Sequence, residues 1–362
     1  MKIKNIFFAA ILVLAGFSCS MEDDAIMNDV EKGIEEATEA YTVLDFGVAF
    51  NEMATKASTT VVPGEDRPAT GDENNDGKKI SEVSVFLLED GKVIGILIPQ
   101  NRNQVSSNSD GSITLKDLKF VTKYKTNRTL EAHVVINGNQ FLKNINIGDA
   151  QSALNQQISG CLSADQLIKY GSTRIVFGKD ITNSYSSPSV AENNPTTILV
   201  KVSHVAARLD FSQFDVTLKG FEGNPTVVFD EAKFVNLQQN GKIVEGDASV
   251  NVKDGAFLNR SNRIGTRWTD LGTAYGYANQ YRQDSEMNTA LYVKFTVDGR
   301  TFEKTYPINP AGITKEVDHN GIKGGYLYDI KVRWTITPDW GDSTIEFYTR
   351  DWVHNSIPEI VL

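Results

Sequence analysis

The sequence predicts an all-β protein made of two β-sandwich domains. Asp-Gly or Asn-Gly occurs eight times along the 362 residues, and several of these pairs separate runs of alternating apolar and polar residues. Such pairs favour type I′ turns between antiparallel strands, because both central residues of that turn need positive φ angles. The chain is long enough for two domains of ordinary size, each with a core of its own.

The N-terminus resembles the export signal of a bacterial lipoprotein. Lys2 and Lys4 precede an apolar run over residues 6–17, which is too short to span a bilayer. The four residues GFSC that end at Cys19 resemble the lipoprotein cleavage box, although the phenylalanine is larger than the usual residue. We therefore predict a signal peptide over residues 1–18 and lipid modification of Cys19. Simple secretion is the alternative.

Residues 19–40 are predicted to form an acidic tether or pro-segment. Acidic residues cluster directly after Cys19, as in the surface-export signal of lipoproteins in Gram-negative anaerobes, although a merely solvated tether would look similar. The second of the two cysteines is Cys161, so lipid on the first leaves it without a disulfide partner. Stability must then come from packing.

Residues 41–56 predict a buried strand followed by an accessible loop. Strand 41–50 has one strongly apolar face, suited to fill a groove. That face carries the side chains of Leu44, Phe46, Val48 and Phe50. A polar stretch follows, so a trypsin-like protease could reach the bond between Lys56 and Ala57. The alternative is an ordinary first strand with a mobile loop after it.

The remaining strands are predicted from apolar runs bounded by turn residues. In chain order they are residues 80–88, 92–98, 129–136, 198–211, 226–235, 290–297, 300–306 and 326–336. Helical stretches are expected over residues 149–157 and 163–170, the second capped by Ser163 or Asp165.

The polar, turn-rich stretch over residues 182–195 is the best candidate for a domain boundary. It divides a first sandwich, residues 41–195, from a second sandwich, residues 196–362. In the first strand of the second sandwich, the apolar face switches between Val202 and Val205, which indicates a bulge or bend.

The sequence contains an incomplete metal-binding motif and no recognisable catalytic motif. Asp72, Asn74 and Asp76 alternate like the first half of an EF-hand loop, but the glutamate that should close the loop falls at Val83. A solvated loop is the simpler interpretation, so no metal and no cofactor is predicted. The four histidines, His133, His204, His319 and His354, are scattered without metal or catalytic spacing. We expect no enzyme activity.

The net charge and the tryptophans indicate which classes of binding partner to expect. A net charge of −10 argues against nucleic acid. The four tryptophans could form a carbohydrate-stacking platform, although a core position is the simpler interpretation of Trp334. They are Trp268, Trp334, Trp340 and Trp352.

The order of these elements resembles the fimbrillins, the FimA-type major fimbrial subunits of Gram-negative anaerobes. The matching pieces are the lipoprotein signal and the stretches TVLDFGVAFNEMATKA, ISEVSVFLLEDGK, AHVVING, VKVSHVAARLDF and YLYDIKVRWTI. They cover most of the chain as an order of elements, and each motif is degenerate alone. The resemblance implies two tandem transthyretin-like Greek-key β-sandwiches and export as a lipoprotein to the outer membrane.

The resemblance also implies a maturation step. In that family a protease removes the first strand, and the C-terminal strand of the next subunit fills the empty groove. The chain has Lys56 where an arginine is commonly cut, and Arg67 is a poor substitute because Pro68 follows it. We therefore expect processing between Lys56 and Ala57.

The C-terminal tail is the predicted donor strand. Its apolar side chains are those of Ile345, Phe347, Ile357, Ile360 and Leu362. A solvated terminus rarely ends on so apolar a sequence, so the tail needs a surface to cover it. That surface is either the second sandwich of the same chain or the vacated groove of a neighbouring subunit.

The leading hypothesis is a structural fimbrial subunit that polymerises by donor-strand exchange and serves adhesion. Its expected partners are other copies of itself, fimbrial accessory subunits, a trypsin-like protease, the outer membrane through lipid on the precursor, and host proteins or glycans. The alternatives are a surface-anchored lipoprotein that binds a glycan or protein, and a fimbrial anchor or tip subunit.

Overall fold

Strands make up nearly all the regular structure in the described part of the chain, residues 39–50, 76–244, 248–259, 263–312, 319–352 and 359–361 of a computed structural model. The two α-helices within these ranges are short, α1 (Asn139–Leu142) and α2 (Pro188–Glu192). Single 3-10 turns lie at Arg102–Gln104, Gln151–Leu154 and Pro310–Gly312. No helix in these ranges is long and apolar enough to cross a bilayer. The all-β prediction is confirmed.

The strands fall into an earlier and a later group. The earlier group is β1 (Tyr41–Phe50), β2 (Lys79–Ile80), β3 (Val83–Glu89), β4 (Lys92–Leu97), β5 (Val105–Ser107), β6 (Ile113–Lys123), β7 (Thr129–Ile136), β8 (Gln157–Ser159), β9 (Lys169–Val176) and β10 (Thr196–His204). The later group begins with β11 (Ala207–Leu218), β12 (Val227–Val235), β13 (Leu237–Gln238), β14 (Asn240–Lys242), β15 (Val252–Lys253), β16 (Phe257–Asn259), β17 (Arg263–Ile264) and β18 (Arg267–Gly276). It continues with β19 (Asn279–Gln280), β20 (Ala290–Val297), β21 (Arg300–Pro307), β22 (Gly321–Ile322), β23 (Tyr326–Ile336), β24 (Gly341–Asp351) and β25 (Glu359–Ile360).

The first sandwich is an eight-stranded sheet that folds back on itself. Its strand order is β4-β3-β7-β9-β10-β1-β6-β5. Strands β9 and β10 pair through Tyr170 with Ser203 and Lys169 with His204, a short contact at which the sheet bends. As a result, side chains from β1, β6 and β10 share one apolar core with side chains from β3 and β7.

The second sandwich has two facing sheets. The sheet β18-β11-β23-β24 packs on the sheet β16-β12-β20-β21, and β17 also pairs with β12. The core between them is rich in aromatic rings. The ring of Phe214 stacks on Trp268 with the centroids 5.3 Å apart, and it meets Phe295 edge-on at 5.2 Å. Such pairs stabilise a core beyond the area they bury.

A third apolar cluster joins the two sandwiches. It contains Phe86 and Ile168 from the first and Tyr277 and Leu327 from the second. Strand β14 pairs with β8 at the same junction, and the Tyr277 hydroxyl donates a hydrogen bond of 2.6 Å to the carbonyl oxygen of Gly160. The two sandwiches therefore belong to one compact unit.

The turn dipeptides form the hairpins that the sequence predicts. Between β3 and β4, Asp90 has a φ of 48° and Gly91 a φ of 72°. The β20–β21 hairpin repeats this geometry with φ angles of 47° at Asp298 and 82° at Gly299. Strands β7, β20 and β23 have the predicted bounds.

The two predicted helical stretches are wrong. The segment 149–157 holds a single 3-10 turn before β8 begins, and the segment 163–170 runs into β9. Leu154, Leu167 and Ile168 insert into the third apolar cluster instead. Segments this short cannot form a stable helix without a packed face, and here the packing favours strand pairing.

The chain passes between the sandwiches at a different place from the predicted boundary. The sequence pattern places strand β10 in the second sandwich, but in the structure this strand pairs in parallel with Leu44–Phe50 of β1 in the first sandwich. The predicted bend near Val202 and Val205 is a crossing between sheets, since β10 ends at His204 and β11 begins at Ala207. On β23, the side chain of Lys331 is buried.

Candidate functional site

Strand β1 is an interior strand of the first sandwich. It pairs in parallel with β10 on one side and antiparallel with β6 on the other. Leu44, Phe46 and Val48 have no exposed surface, and Phe50 is 7% exposed. The four side chains predicted to fill a groove therefore lie in the core. Removal of β1 would leave an open groove with unpaired backbone on both walls.

A strap from residues 185–192 covers the outer side of β1. Tyr41 and Tyr185 exchange two backbone N–H to carbonyl hydrogen bonds, each 2.8 Å long. Helix α2 follows and packs against β1 and β6, with Ala191 fully buried. The ammonium of Lys119 on β6 donates a 2.7 Å hydrogen bond to the carbonyl oxygen of Glu192 at the end of that helix.

The C-terminal end of β1 meets a buried lysine. Lys169 on β9 is fully buried, and its Nζ lies 5.5 Å from the ring centroid of Phe50. The same Nζ donates a hydrogen bond to the carbonyl oxygen of Gly77. Burial lowers the pKa of Lys169 to about 7, because a charge is poorly solvated in the interior.

A buried ion-pair network anchors the residue before Gly77. Asp76 accepts hydrogen bonds from the guanidinium of Arg208 and, at 2.5 Å, from the hydroxyl of Tyr275. The Nε of Arg208 also donates to Asp210 at 2.9 Å, and the Thr273 hydroxyl donates to the same carboxylate at 2.7 Å. Burial, followed by the hydrogen bond to Asp76, raises the pKa of Tyr275.

Asp76 belongs both to this ion-pair network and to the incomplete EF-hand motif that the sequence shows. Its carboxylate binds Arg208 and Tyr275, while Asp72 and Asn74 lie outside the described residues. In the part of the chain that the structure describes, no group of three or more acidic, histidine or cysteine side chains is placed to hold a metal ion.

The tail strand β25 lies on the first sandwich. It pairs in parallel with β2, and the backbone N–H groups of Glu359 and Val361 donate 2.9 Å hydrogen bonds to the carbonyl oxygens of Lys78 and Ile80. The Ile360 side chain is buried in the same core as β1. The other two predicted donor residues near the end of the chain, Ile357 and Leu362, lie outside the described residues.

Ile345 and Phe347 lie in the second sandwich of their own chain, which the sequence analysis gives as the alternative to a donor strand. Both lie on β24, which pairs with β23 along its whole length. Phe347 is buried in the core of the second sandwich, and Ile345 packs against that core. These two side chains complete the sandwich of their own chain in this structure, and their assignment to the donor strand stays a prediction.

The remaining predicted sites divide into two groups. Cys19, Lys56 and Ala57 lie outside the described residues. Three of the four tryptophans are buried and only one, Trp340, is exposed, so the proposed sugar-stacking platform does not form. The three buried tryptophans are core residues, because they pack on the neighbouring rings of Phe214, Phe295 and His204.

Sequence reasoning missed Lys169 and Arg208. Arg208 had a detectable signal, because Asp210 follows it by two residues and therefore lies on the same face of the strand. Lys169 had none, since its burial depends on Phe50 and Gly77, which are distant in the chain.

No protein-family model and no curated protein sequence matches this chain. A solved structure of a candidate cell adhesion protein from Parabacteroides distasonis is 17% identical, with a TM-score of 0.56, and the match covers 86% of this chain and 98% of that one. A fimbrial assembly protein from the same species is 16% identical, with a TM-score of 0.48 and coverage of 86% and 100%. A fimbrilin (FimA) from Porphyromonas gingivalis is 14% identical, with a TM-score of 0.48 and coverage of 86% and 98%.

The chain has the fold of the first of these proteins. The match covers 86% of the chain, so it includes parts of both sandwiches. The β-sandwich fold that the sequence analysis predicts is confirmed.

Proposed function

We propose that this protein is a structural subunit of a cell-surface fimbria, that it polymerises by donor-strand exchange and that it serves adhesion. The observation that carries this proposal is the position of β1. It is a buried core strand that pairs with a neighbouring strand on each side. The shared fold with a candidate cell adhesion protein supports the same role. A structural role of this kind needs no catalytic residues.

The energetics of β1 suit a strand that is cut before it is replaced. Its four large side chains contribute about 1.5 to 3 kcal/mol each, or roughly 6 to 12 kcal/mol as an upper estimate. That sum is comparable to the whole stability of a typical domain, about 5 to 15 kcal/mol. A cut at the bond between Lys56 and Ala57 should therefore leave β1 in its groove until another strand competes for it.

The last residues of the chain are the proposed donor. Ile360 already packs in the core that contains β1, so its side chain suits an environment of this kind. A tail that enters the groove of the next subunit makes a head-to-tail contact, which propagates into a filament instead of closing into a dimer. The donor segment is Ile357–Leu362, since β24 is part of its own sandwich.

A second candidate function is an anchor or tip subunit. It is favoured by β25, which pairs with β2 of the same chain. A subunit whose tail stays docked on itself cannot donate it, and would therefore end a filament. In both functions the precursor is exported with lipid on Cys19 to the outer membrane, and host proteins or glycans are the adhesive targets.

Processing of the purified precursor tests the leading function. Trypsin treatment of the chain from Ser20 should cut at Lys56, retain the β1 fragment at first and then yield a ladder of oligomers on gel filtration and by electron microscopy. The Lys56→Gln variant should remain monomeric. Fimbriae from the native cell whose subunits still begin at Cys19 would contradict the proposal.

A further inference from the structure

One buried cluster brings together the three segments that strand exchange must move. It lies at the end of β1, directly before β2 and directly before the tail. We call it the junction cluster, and its members are Phe50, Asp76, Gly77, Lys169, His204, Arg208, Tyr275 and Trp352.

A continuous set of contacts runs from β1 to the tail through this cluster. The ring of Phe50 lies against Lys169, and Lys169 donates its hydrogen bond to Gly77. Gly77 is held from its other side by the carbonyl oxygen of Ala164, which accepts its N–H at 2.7 Å. The next residue, Lys78, accepts the hydrogen bond from Glu359 in the tail.

The side of the junction cluster that lies nearest the tail is also tightly packed. The ring of Trp352 stacks on His204 with 3.8 Å between centroids, and on Tyr275 at 5.8 Å. His204 is the cross-strand neighbour of Lys169. A Cβ atom at position 77 would lie 2.5 Å from His204 Nε2 and 3.1 Å from Lys169 Nζ, and Gly77 has a φ of +72°. The backbone at Gly77 therefore fits tightly between these two side chains.

We propose that Lys169 is a positioning residue that couples the departure of β1 to the release of the C-terminal tail. Phe50 shields Lys169 from water while β1 is in place, and Lys169 then holds Gly77 and the strand β2 on which the tail is docked. When β1 leaves, water reaches the Lys169 amine, its bond to Gly77 weakens, and β2 and β25 loosen together. A subunit would thus donate its tail only after its own groove is empty. This coupling rests on the proposed function.

Charge supports the coupling. Among the described residues, no carboxylate forms a salt bridge with Lys169. The groups that face it are His204 on β10 and, beyond Gly77, the paired Asp76 and Arg208. Its pKa is about 7 when buried, against an ordinary value of 10.5. The open state binds the proton more tightly, so protonation favours opening. Opening should increase as the pH falls from about 10.5 to about 7, and it should level off below that.

A double-mutant cycle on the intact monomer tests the coupling. The readout is hydrogen–deuterium exchange of the Glu359 and Val361 amides, corrected for the chemical exchange rate, in the full chain at pH 8. Phe50→Leu should raise tail opening by about fivefold when Lys169 is present. In the Lys169→Met background, Phe50→Leu should leave tail opening unchanged. Phe46→Leu is the matched control, because it alters the same core strand away from Lys169, and its effect should multiply with that of Lys169→Met.

A pH series separates the coupling from a merely structural role. Tail opening in the parent protein should fall about tenfold per pH unit between about pH 7.5 and 9.5. This dependence should vanish in Lys169→Met and persist in His204→Gln. Either a flat parent profile or full multiplication of the Phe50 and Lys169 effects overturns the coupling. Because the readout uses monomer, the coupling can hold where the chain forms no filament, and filaments can form without it.

Discussion

Arg208 shows how a single charged side chain can organise a buried junction. Its side chain is 5% exposed and binds two carboxylates, Asp76 and Asp210. Ion pairs of this kind contribute little net stability compared with apolar replacements, but loss of one partner leaves the other charge buried and unpaired. Arg208 therefore holds Asp76 in place, and with it the start of the segment that carries Gly77 and β2.

Replacement of Arg208 should be costly for that reason. Arg208→Met should lower the free energy of unfolding by about 3 to 5 kcal/mol, measured by urea titration at pH 7. Arg333→Met is the control, since that arginine is 44% exposed and pairs with Glu346 and Asp215 at the surface. The control should change stability by no more than about 1 kcal/mol. Equal effects of the two substitutions would contradict the assignment of Arg208 to a buried network.

At the scale of the secondary-structure elements, the strands β1, β24 and β25 near the two ends of the chain differ in how extensively they are paired. Strand β1 is paired on both sides, β24 is paired along its full length with β23, and β25 pairs with β2 over two residues. A strand that pairs over two residues exchanges partners more readily than a strand that pairs over eleven residues. Strand β25 is therefore better suited than β24 to leave its own chain. The Ile360 side chain is buried, so a tail that leaves its own chain must regain the free energy of that burial in the groove of its new partner.

Deletion of the tail should separate folding from assembly. Loss of residues 357–362 removes the burial of Ile360, worth about 1.5 to 3 kcal/mol. The variant should remain a folded, processed monomer by circular dichroism and gel filtration, and it should fail to extend a fimbria. Substitution of Ile360 by Ser is the milder companion and should slow assembly. Filaments of full length from the deletion variant would show that another segment is the donor.

For the molecule as a whole, the two sandwiches form one unit because an apolar cluster and the β8–β14 pairing join them. Force along a filament would pass from the groove of the first sandwich through this junction to the second. The head-to-tail subunit that we propose must stay monomeric until it reaches the surface. On this proposal, β1 meets that need because it keeps the groove of the precursor filled during export.

Export of the precursor should depend on lipid at Cys19. In the native cell, Cys19→Ala should leave a precursor of unprocessed size that takes up no labelled fatty acid, because the substitution removes the thiol that we propose as the site of acylation. Cys161→Ala is the matched control and should be labelled and processed like the parent. A Cys19→Ala protein with normal processing and label would show that the N-terminus is an ordinary secretion signal.

Local patterns in the sequence were sufficient to predict the all-β class, the hairpins at Asp90-Gly91 and Asp298-Gly299, and the buried face of β1. Turn dipeptides and alternation act over a few neighbouring residues, so these features can be read without a structure. The tertiary structure alone decided that β10 joins the first sheet, that Ile345 and Phe347 complete their own sandwich, that Ile360 docks beside β1 and that Lys169 is buried. Each of these depends on contacts between residues far apart in the chain, where several partners of equal apolar character compete and only the packed core selects one.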